Sequence, residues 1–274
     1  MNNPRKRNEL GELLKQWRGA RGRSQLDIST DTGISQRQIS FIESGRSIPG
    51  RSTLMGIAQA LDIPLRERNA LLLAAGYAPM YSDAAWNSDE MKGITRALER
   101  MITQHEPYPA IVMDRYWNVL LTNDAAPRFF NCFIDLSARP VPRNMLHLIF
   151  DPHGMRPFIA DWEVLAKALI QRVRREAVGH IVDQKTNDLV RDLLAYPGAQ
   201  RDSSAPETST APLPMIPMSF IRDGALLNYF SLVTTVGTPQ TVASQELRVE
   251  CMYPADDDTE ALHARLLAES PTSH

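Results

Sequence analysis

At 274 residues, with 43% hydrophobic and 23% charged side chains, the chain has room for a small module and a larger domain with its own core. No apolar run approaches the length of a membrane span and no signal peptide opens the chain, so a cytoplasmic protein without membrane contact is expected. The net charge of −2 is uneven: residues 1–51 hold ten Lys/Arg against five Asp/Glu, a surplus of +5 that leaves −7 for residues 52–274. A basic N-terminal module favours a phosphate backbone, and this separation of charge suits a regulator better than a single-domain enzyme.

Residues 1–8 read as a polar tail, in which Arg5, Lys6 and Arg7 either touch phosphates or are solvated. A helix is predicted over 9–18, with Leu10, Leu13, Leu14 and Trp17 facing inward. The stretch 24–45 then reads as two short helices around a tight turn. Ser24 is the expected N-cap of the first, Ile28 its inward residue, and Gly33 the break. Ser35 caps the second, whose Ile39 and Ile42 share one face. Gln36, Arg37, Gln38, Ser40 and Phe41 are left pointing outward. Arginine pairs bidentately with guanine and glutamine with adenine in the major groove, so this is a helix-turn-helix with recognition residues at the start of its second helix. Two further helices are expected, over 52–61 and 66–75. The connector 76–90 holds Tyr77, Tyr81 and Trp86, which suggests that it packs on a neighbour.

Ser24-Gln25, Gly33-Ile34-Ser35, Ile39-Ser40, Glu43-Ser44-Gly45 and Pro49 resemble the lambda-repressor-like, or XRE-type, DNA-binding domain. Arg18 lies seven residues before Gln25, where this family places an arginine paired with the glutamate that matches Glu43. Ser29 departs from the family's usual alanine. The resemblance implies that Gln25 and Arg46 position the helix on phosphates while Gln36, Arg37 and Gln38 read bases, with Arg37 serving either. Arg18 and Glu43 are expected to form an internal ion pair.

Beyond a helix over 91–104, Ala110–Asp114 and Trp117–Thr122 read as a short antiparallel hairpin leading into a helix after Asn123. That opening resembles a PAS-type sensor domain. Residues 144–152, 156–162, 229–239 and 245–256 resemble the MmyB-like ligand-binding domain, which typically follows an XRE-type module. The expected architecture is therefore an all-α five-helix DNA-binding domain (1–75), a connector (76–90), an α+β PAS-like domain of antiparallel sheet and flanking helices (91–260), and a helix end and tail (261–274). Within it, Trp162, Leu165, Ala166, Leu169, Val173 and Ala177 form the apolar stripe of a helix, with Lys167, Arg172, Arg174 and Arg175 on its other face. Segment 197–214 reads as a surface loop before a strand near 215–221. The strand 227–236 is apolar on both alternate sets, so cover on both faces is expected. Asp256–Asp258 open a last helix.

No catalytic constellation is found: there is no G-x-S-x-G elbow, glycine-rich phosphate loop or H-E-x-x-H pair, so no enzyme is expected. His147, Asp151 and His153 lack a helix-face metal spacing and read as structural. Cys132 and Cys251 read as buried thiols of a reducing compartment. No cofactor is implied, but the MmyB-like resemblance implies a pocket for an apolar, fatty-acid-like molecule. Candidate lining residues are Trp117, Asn123, Phe129, Phe130, Met145, Phe150, Trp162, Phe230 and Leu232. Arg156 is either a surface ion-pair partner or an anchor for a carboxylate. One module reads few base pairs, so a homodimer on a pseudo-palindromic operator is expected. The rival reading gives the C-terminal domain only dimerisation or contact with a partner such as RNA polymerase, with no ligand.

Overall fold

The structure, a computed structural model, describes residues 4–178, 184–199 and 217–269. It divides into two compact units, Met1–Ala84 with Arg175–Asp183 and Thr238–Gln245, and Ala85–Arg174 with Gln184–Gly237 and Glu246–His274.

Among the described residues, the first unit holds five helices in its first 75 positions: α1 (Pro4–Ala20), α2 (Gln25–Thr32), α3 (Gln36–Glu43), α4 (Arg51–Ala60) and α5 (Leu65–Ala74). α1 is longer than the 9–18 expected and takes in most of the anticipated tail. Proline suits a first helical turn because the N–H it lacks would have no intrahelical partner. Leu10, Leu14, Trp17, Ile28, Ile39, Ile42, Leu54 and Ile57 form the core. Gly11 is where α1 meets the end of α3. A β-carbon there would stand 2.4 Å from the Glu43 carbonyl oxygen, so only glycine permits the approach. Gly33 ends α2 at φ +69°, and its N–H reaches the Ser29 carbonyl.

Residues 76–84 of the connector belong to the first unit. Tyr77 donates to the Pro49 carbonyl (3.0 Å), while Asn69 Oδ1 accepts from the N–H groups of Met80 and Tyr81 (3.0 and 3.1 Å). Gln245 Oε1 accepts from the Leu65 N–H (2.7 Å), an otherwise orphaned donor in the first turn of α5.

The second unit contains, in chain order, α6 (Lys92–Thr103), β1 (Ala110–Met113), β2 (Val119–Thr122), α7 (Ala125–Asn131), α8 (Met145–Phe150), most of α9 (Trp162–Val178), α10 (Gln184–Ala195), β3 (Pro217–Arg222), β4 (Ala225–Thr235), β5 (Arg248–Pro254) and α12 (Asp257–Glu269), while α11 (Val242–Glu246), between β4 and β5, belongs to the first unit in all but its last residue. The five strands among the described residues form one antiparallel sheet in the order β2-β1-β5-β4-β3. Every β1 residue is buried. Ile111 and Met113 join the main core, where Phe129, Phe150, Leu146, Leu165, Leu169, Tyr229 and Met252 meet. On α12, Asp256 Oδ1 accepts from the Thr259 N–H (2.7 Å), so the first of the three aspartates caps the helix.

Several expectations are corrected. The hairpin strands are shorter than anticipated, and Trp117 belongs to the turn, at φ +68°. β4 is not covered on both faces. Leu227 and Tyr229 are buried, but Leu232 and Val233 are 50% and 42% exposed. Apolar character on both alternate sets therefore does not mean burial here. On α9, Leu165, Ala166, Leu169 and Val173 are buried as expected, whereas Arg172 is drawn inward. The side chains of Arg175 and Ala177, and positions 200–214 of the anticipated loop, lie outside the described residues. Cys251 is buried, and its burial pushes the thiol pKa up; Cys132 is half-buried.

His263 is the one buried titratable imidazole among the described residues. Its Nε2 donates to the Pro107 carbonyl (2.9 Å), and in the neutral ring that burial favours, Nδ1 accepts from the Tyr229 hydroxyl (2.7 Å). Burial first, then the Arg128 charge, lowers its pKa below the ordinary 6.5, against an opposing hydrogen bond to Pro107. The unfolded chain thus takes up this proton before the folded one does. Stability is full above about pH 6.5 and falls as pH drops below it. Melting temperatures measured from pH 7.5 down to 5 should decline, and His263→Gln should flatten that decline.

Candidate functional site

α3 is built to present its polar side. Its N-cap Ser35 accepts from the Gln38 N–H, Ile39 and Ile42 anchor the inner face, and Gln36, Arg37 and Gln38 are exposed. The guanidinium carbons of Arg37 and Arg46 lie 5.3 and 5.6 Å from the centre of the half-buried Phe41 ring. Stacking on one ring holds two cations on the same surface, next to the exposed glutamines. Ser40 is half-buried beside them.

Beneath this surface, Glu43 Oε1 accepts from Arg18 Nε (2.7 Å) and Glu43 Oε2 from Arg18 Nη2 (3.0 Å). Glu43 Oε2 also accepts from the Gln25 amide nitrogen at 2.8 Å. Gln25 is therefore half-committed to the interior, and the second hydrogen on that nitrogen is what remains for a phosphate. At the start of α2, Ser24 and Asp27 form a reciprocal capping box, whose hydrogen bonds lower the Asp27 pKa.

The second unit holds two small, partly open apolar pockets, here called lobes, that lie side by side and share part of their walls. Ile111, Phe130 and Met145 line both. The first lobe adds Met113, Trp117, Ile149, Leu169, Met218, Glu250 and Met252. The second adds Val119, Leu136, Arg143, Asn144 and Leu148, among others. Four of the first lobe's walls are methionines, whose unbranched side chains reshape readily around a guest.

Trp117 is the strained element of this wall. A bulky residue in the left-handed region costs about 1–3 kcal/mol and needs its surroundings to hold it there. Asp114 provides that restraint: its Oδ1 accepts from the Tyr116 and Asn118 N–H groups (2.8 and 2.9 Å), and its carbonyl accepts from the Trp117 N–H (3.0 Å). The Arg172 guanidinium carbon sits 4.4 Å from the centre of the indole and its Nη1 lies 3.6 Å from Glu250. Glu250 also accepts from the Ser231 hydroxyl, while its Oε2 and the Trp117 Nε1 are buried with no hydrogen-bond partner.

Of the nine residues expected to line the cavity, the structure brings Trp117, Phe130 and Met145 to it. Asn123 is a structural clamp: Oδ1 accepts from the Ala110 and Ala126 N–H groups (3.0 and 3.2 Å) and Nδ2 donates to the Tyr108 carbonyl (2.8 Å). Phe129 sits at the centre of a ring cluster. Phe150 meets Trp162 edge-on at 4.9 Å, away from the cavity. Phe230 and Leu232 alternate with the buried Tyr229, so the pleat sends them to the opposite side of the sheet. There, Phe230 stacks on Tyr253 at 5.4 Å. Arg156 donates to the Pro197 carbonyl and lies over Trp162, so it does not reach the cavity either.

Missed by the sequence reading were Ile111, Met113, Glu250 and Met252, together with Arg143. The alternation of Ile111 with Met113 and of Glu250 with Met252 is a readable signal, but only the strand order says which set faces the helices. His147, Asp151 and His153 have ordinary roles: His147 Nδ1 bonds the Tyr196 hydroxyl (3.1 Å), and Asp151 pairs with Arg139 and accepts from the His153 N–H (2.8 Å).

Among the described residues, no helix is long and apolar enough to cross a membrane. Residues 14–68 match the Helix-turn-helix family and residues 94–266 the MmyB-like transcription regulator ligand binding domain family. An uncharacterized HTH-type transcriptional regulator, y4dL, of Sinorhizobium fredii is 33% identical over 105 residues, 36% of this chain and 53% of the relative. The chain thus spans about half the length of this curated relative. A capped helix with exposed glutamines and arginine, an α+β unit holding apolar pockets, and both family matches in that order lead to one assignment. The chain belongs to the MmyB-like transcription regulator ligand binding domain family and carries an XRE-type helix-turn-helix at its N-terminus.

Proposed function

We propose that the chain is a one-component, cytoplasmic regulator that binds a pseudo-palindromic operator as a homodimer, with operator affinity set by an apolar, fatty-acid-like molecule in the second unit. Residues 1–75 act as the DNA-reading module, 76–90 as the connector and 91–260 as the PAS-like sensor. The observation that carries the DNA half is the surface of α3, where Gln36, Arg37 and Gln38 are exposed and Arg37 and Arg46 share the Phe41 ring. Gln36 and Gln38 suit adenine, Arg37 suits guanine or phosphate, and Gln25 and Arg46 suit phosphates. Dimerisation supplies two recognition helices about 34 Å apart. The outward side of β3 and β4 leaves Ile221, Leu226 and Leu232 44%, 47% and 50% exposed, which favours a self-association surface there.

The ligand half rests on the cavity, which a domain serving only as a dimer or polymerase contact would not need. Its occupant can alter operator affinity only by binding the two arrangements of the dimer unequally. Replacing Gln36, Arg37 and Gln38 with alanine should weaken operator binding by at least about a hundredfold, since each good base contact is worth about 1–3 kcal/mol. Fluorescence anisotropy on the operator selected from a random-sequence pool checks this. Unchanged affinity would reject the assignment of α3. Operator affinity unmoved by a ligand that measurably fills the cavity would reject the sensing role.

A further inference from the structure

We infer that Arg143 is the anchor for the carboxylate of the cavity's occupant, which makes that occupant a monocarboxylate amphiphile with its head in the second lobe. The inference rests on the ligand reading above and names the subsite that reading lacked.

Arg143 borders the second lobe beside Val119, Leu136 and Leu148. Its backbone is pinned there, since its carbonyl accepts from the Val119 N–H (2.8 Å). The guanidinium is not satisfied by protein. Nη2 donates to the Leu136 carbonyl (2.8 Å), Nε is buried with no acceptor, and no carboxylate pairs with it among the described residues. Its neighbours differ in this respect: Arg139 holds Asp151, Arg115 holds Glu246 and Arg172 holds Glu250. A buried guanidinium donor without an acceptor is the arrangement that an anionic oxygen completes. The adjacent Asn144 does not compete for that role. Its Nδ2 is bound to the Tyr116 carbonyl and Asn118 Oδ1, and its Oδ1 accepts from the Leu146 and His147 N–H groups.

Orientation follows from charge. The first lobe's ionisable wall residue is Glu250, a carboxyl that offers a carboxylate head nothing but another acceptor. The head therefore sits at Arg143, and the chain runs past Ile111, Phe130 and Met145 into the methionine-walled lobe.

Isothermal titration calorimetry of the full-length chain with dodecanoate and with 1-dodecanol tests this. The wild type should prefer dodecanoate by about tenfold or more. Arg143→Gln should abolish that preference by weakening dodecanoate alone, and Arg143→Lys should restore part of it. Equal binding of acid and alcohol by the wild type would overturn the inference, as would a preference that survives Arg143→Gln or an equal loss of both ligands in that variant. Should Arg143→Gln fail to fold, the wild-type ratio and Arg143→Lys decide. Binding of neither ligand to the wild type would reject the fatty-acid reading itself and this subsite with it. Binding of dodecanol without preference would reject the subsite alone.

Discussion

Replacing Phe129 with alanine is expected to remove about 3–5 kcal/mol from the second unit, the range for deleting a fully buried aromatic ring. Phe129 has no solvent exposure, and the rings of Phe130, Phe133, Phe220 and Tyr229 lie 5.2–5.4 Å from its centre, with His263 stacked at 5.8 Å. Those neighbours come from α7, the turn that follows it, β3, β4 and α12, so the void cannot close without moving two strands and a helix against one another. Edge-to-face pairing adds to the loss. Phe230→Ala, by contrast, removes a half-buried ring stacked on Tyr253 and should cost about 1 kcal/mol, near the average for a single substitution. Because the chain has two units, a single global transition is a poor measure. Amide hydrogen exchange resolves them: Phe129→Ala should accelerate exchange at Val112 and Cys251 and leave Ile28 and Ile39 unchanged. A Phe129→Ala protein as protected as Phe230→Ala would show that the ring cluster does not hold the sheet to its helices.

Glu43→Ala is expected to cost the first unit about 3 kcal/mol, at the lower end of the range for breaking a buried ion pair, because Arg18 keeps some contact with water. The Glu43 side chain is 3% exposed and that of Arg18 23%. Removing the carboxylate strands Arg18 Nε, Arg18 Nη2 and the Gln25 amide together. α1, α2 and α3 are joined through this group, so its loss loosens the platform on which α3 is aimed. Operator affinity should fall with stability, even though Glu43 is buried and Gln36, Arg37 and Gln38 are the exposed residues of α3. The double substitution Arg18→Met, Glu43→Leu should recover much of the stability, since replacing both charges with apolar groups of similar volume is often neutral. Urea titrations of the three proteins, followed through the buried Trp17, give the comparison. Equal stability of Glu43→Ala and wild type would show the pair to be ornamental.

The two halves of the chain were unequally legible. In the first, nearly every local signal has a local cause. Ser24 and Ser35 cap helices because their hydroxyls reach N–H groups three residues on, Gly33 ends a helix because it alone takes a left-handed turn without strain, and Ile39 and Ile42 face inward because a helix repeats every 3.6 residues. Helix number, turn positions and the exposed recognition residues follow from those rules without knowing what packs on what. The Arg18–Glu43 pair, 25 positions apart, was reached through family resemblance rather than through spacing.

In the second half, composition and periodicity determined that strands and amphipathic helices would form, and which residues were apolar enough to be buried. They could not determine which face of a strand meets the helices, because both faces of β4 carry large apolar side chains. That was decided by strand order: β4 lies beside β5, and the register that opposes Ser231 with Met252 turns Tyr229 inward and Phe230 outward. The same applies to the cavity. Arg143, Glu250 and Trp117 are up to 133 residues apart in sequence, and only the sheet and the helices over it bring them to adjoining lobes, each with a polar atom unsatisfied. Local sequence thus determined the exposed polar helix of the helix-turn-helix, which needs only its own period and caps; the apolar lobes, made of long-range juxtapositions, were decided by tertiary structure.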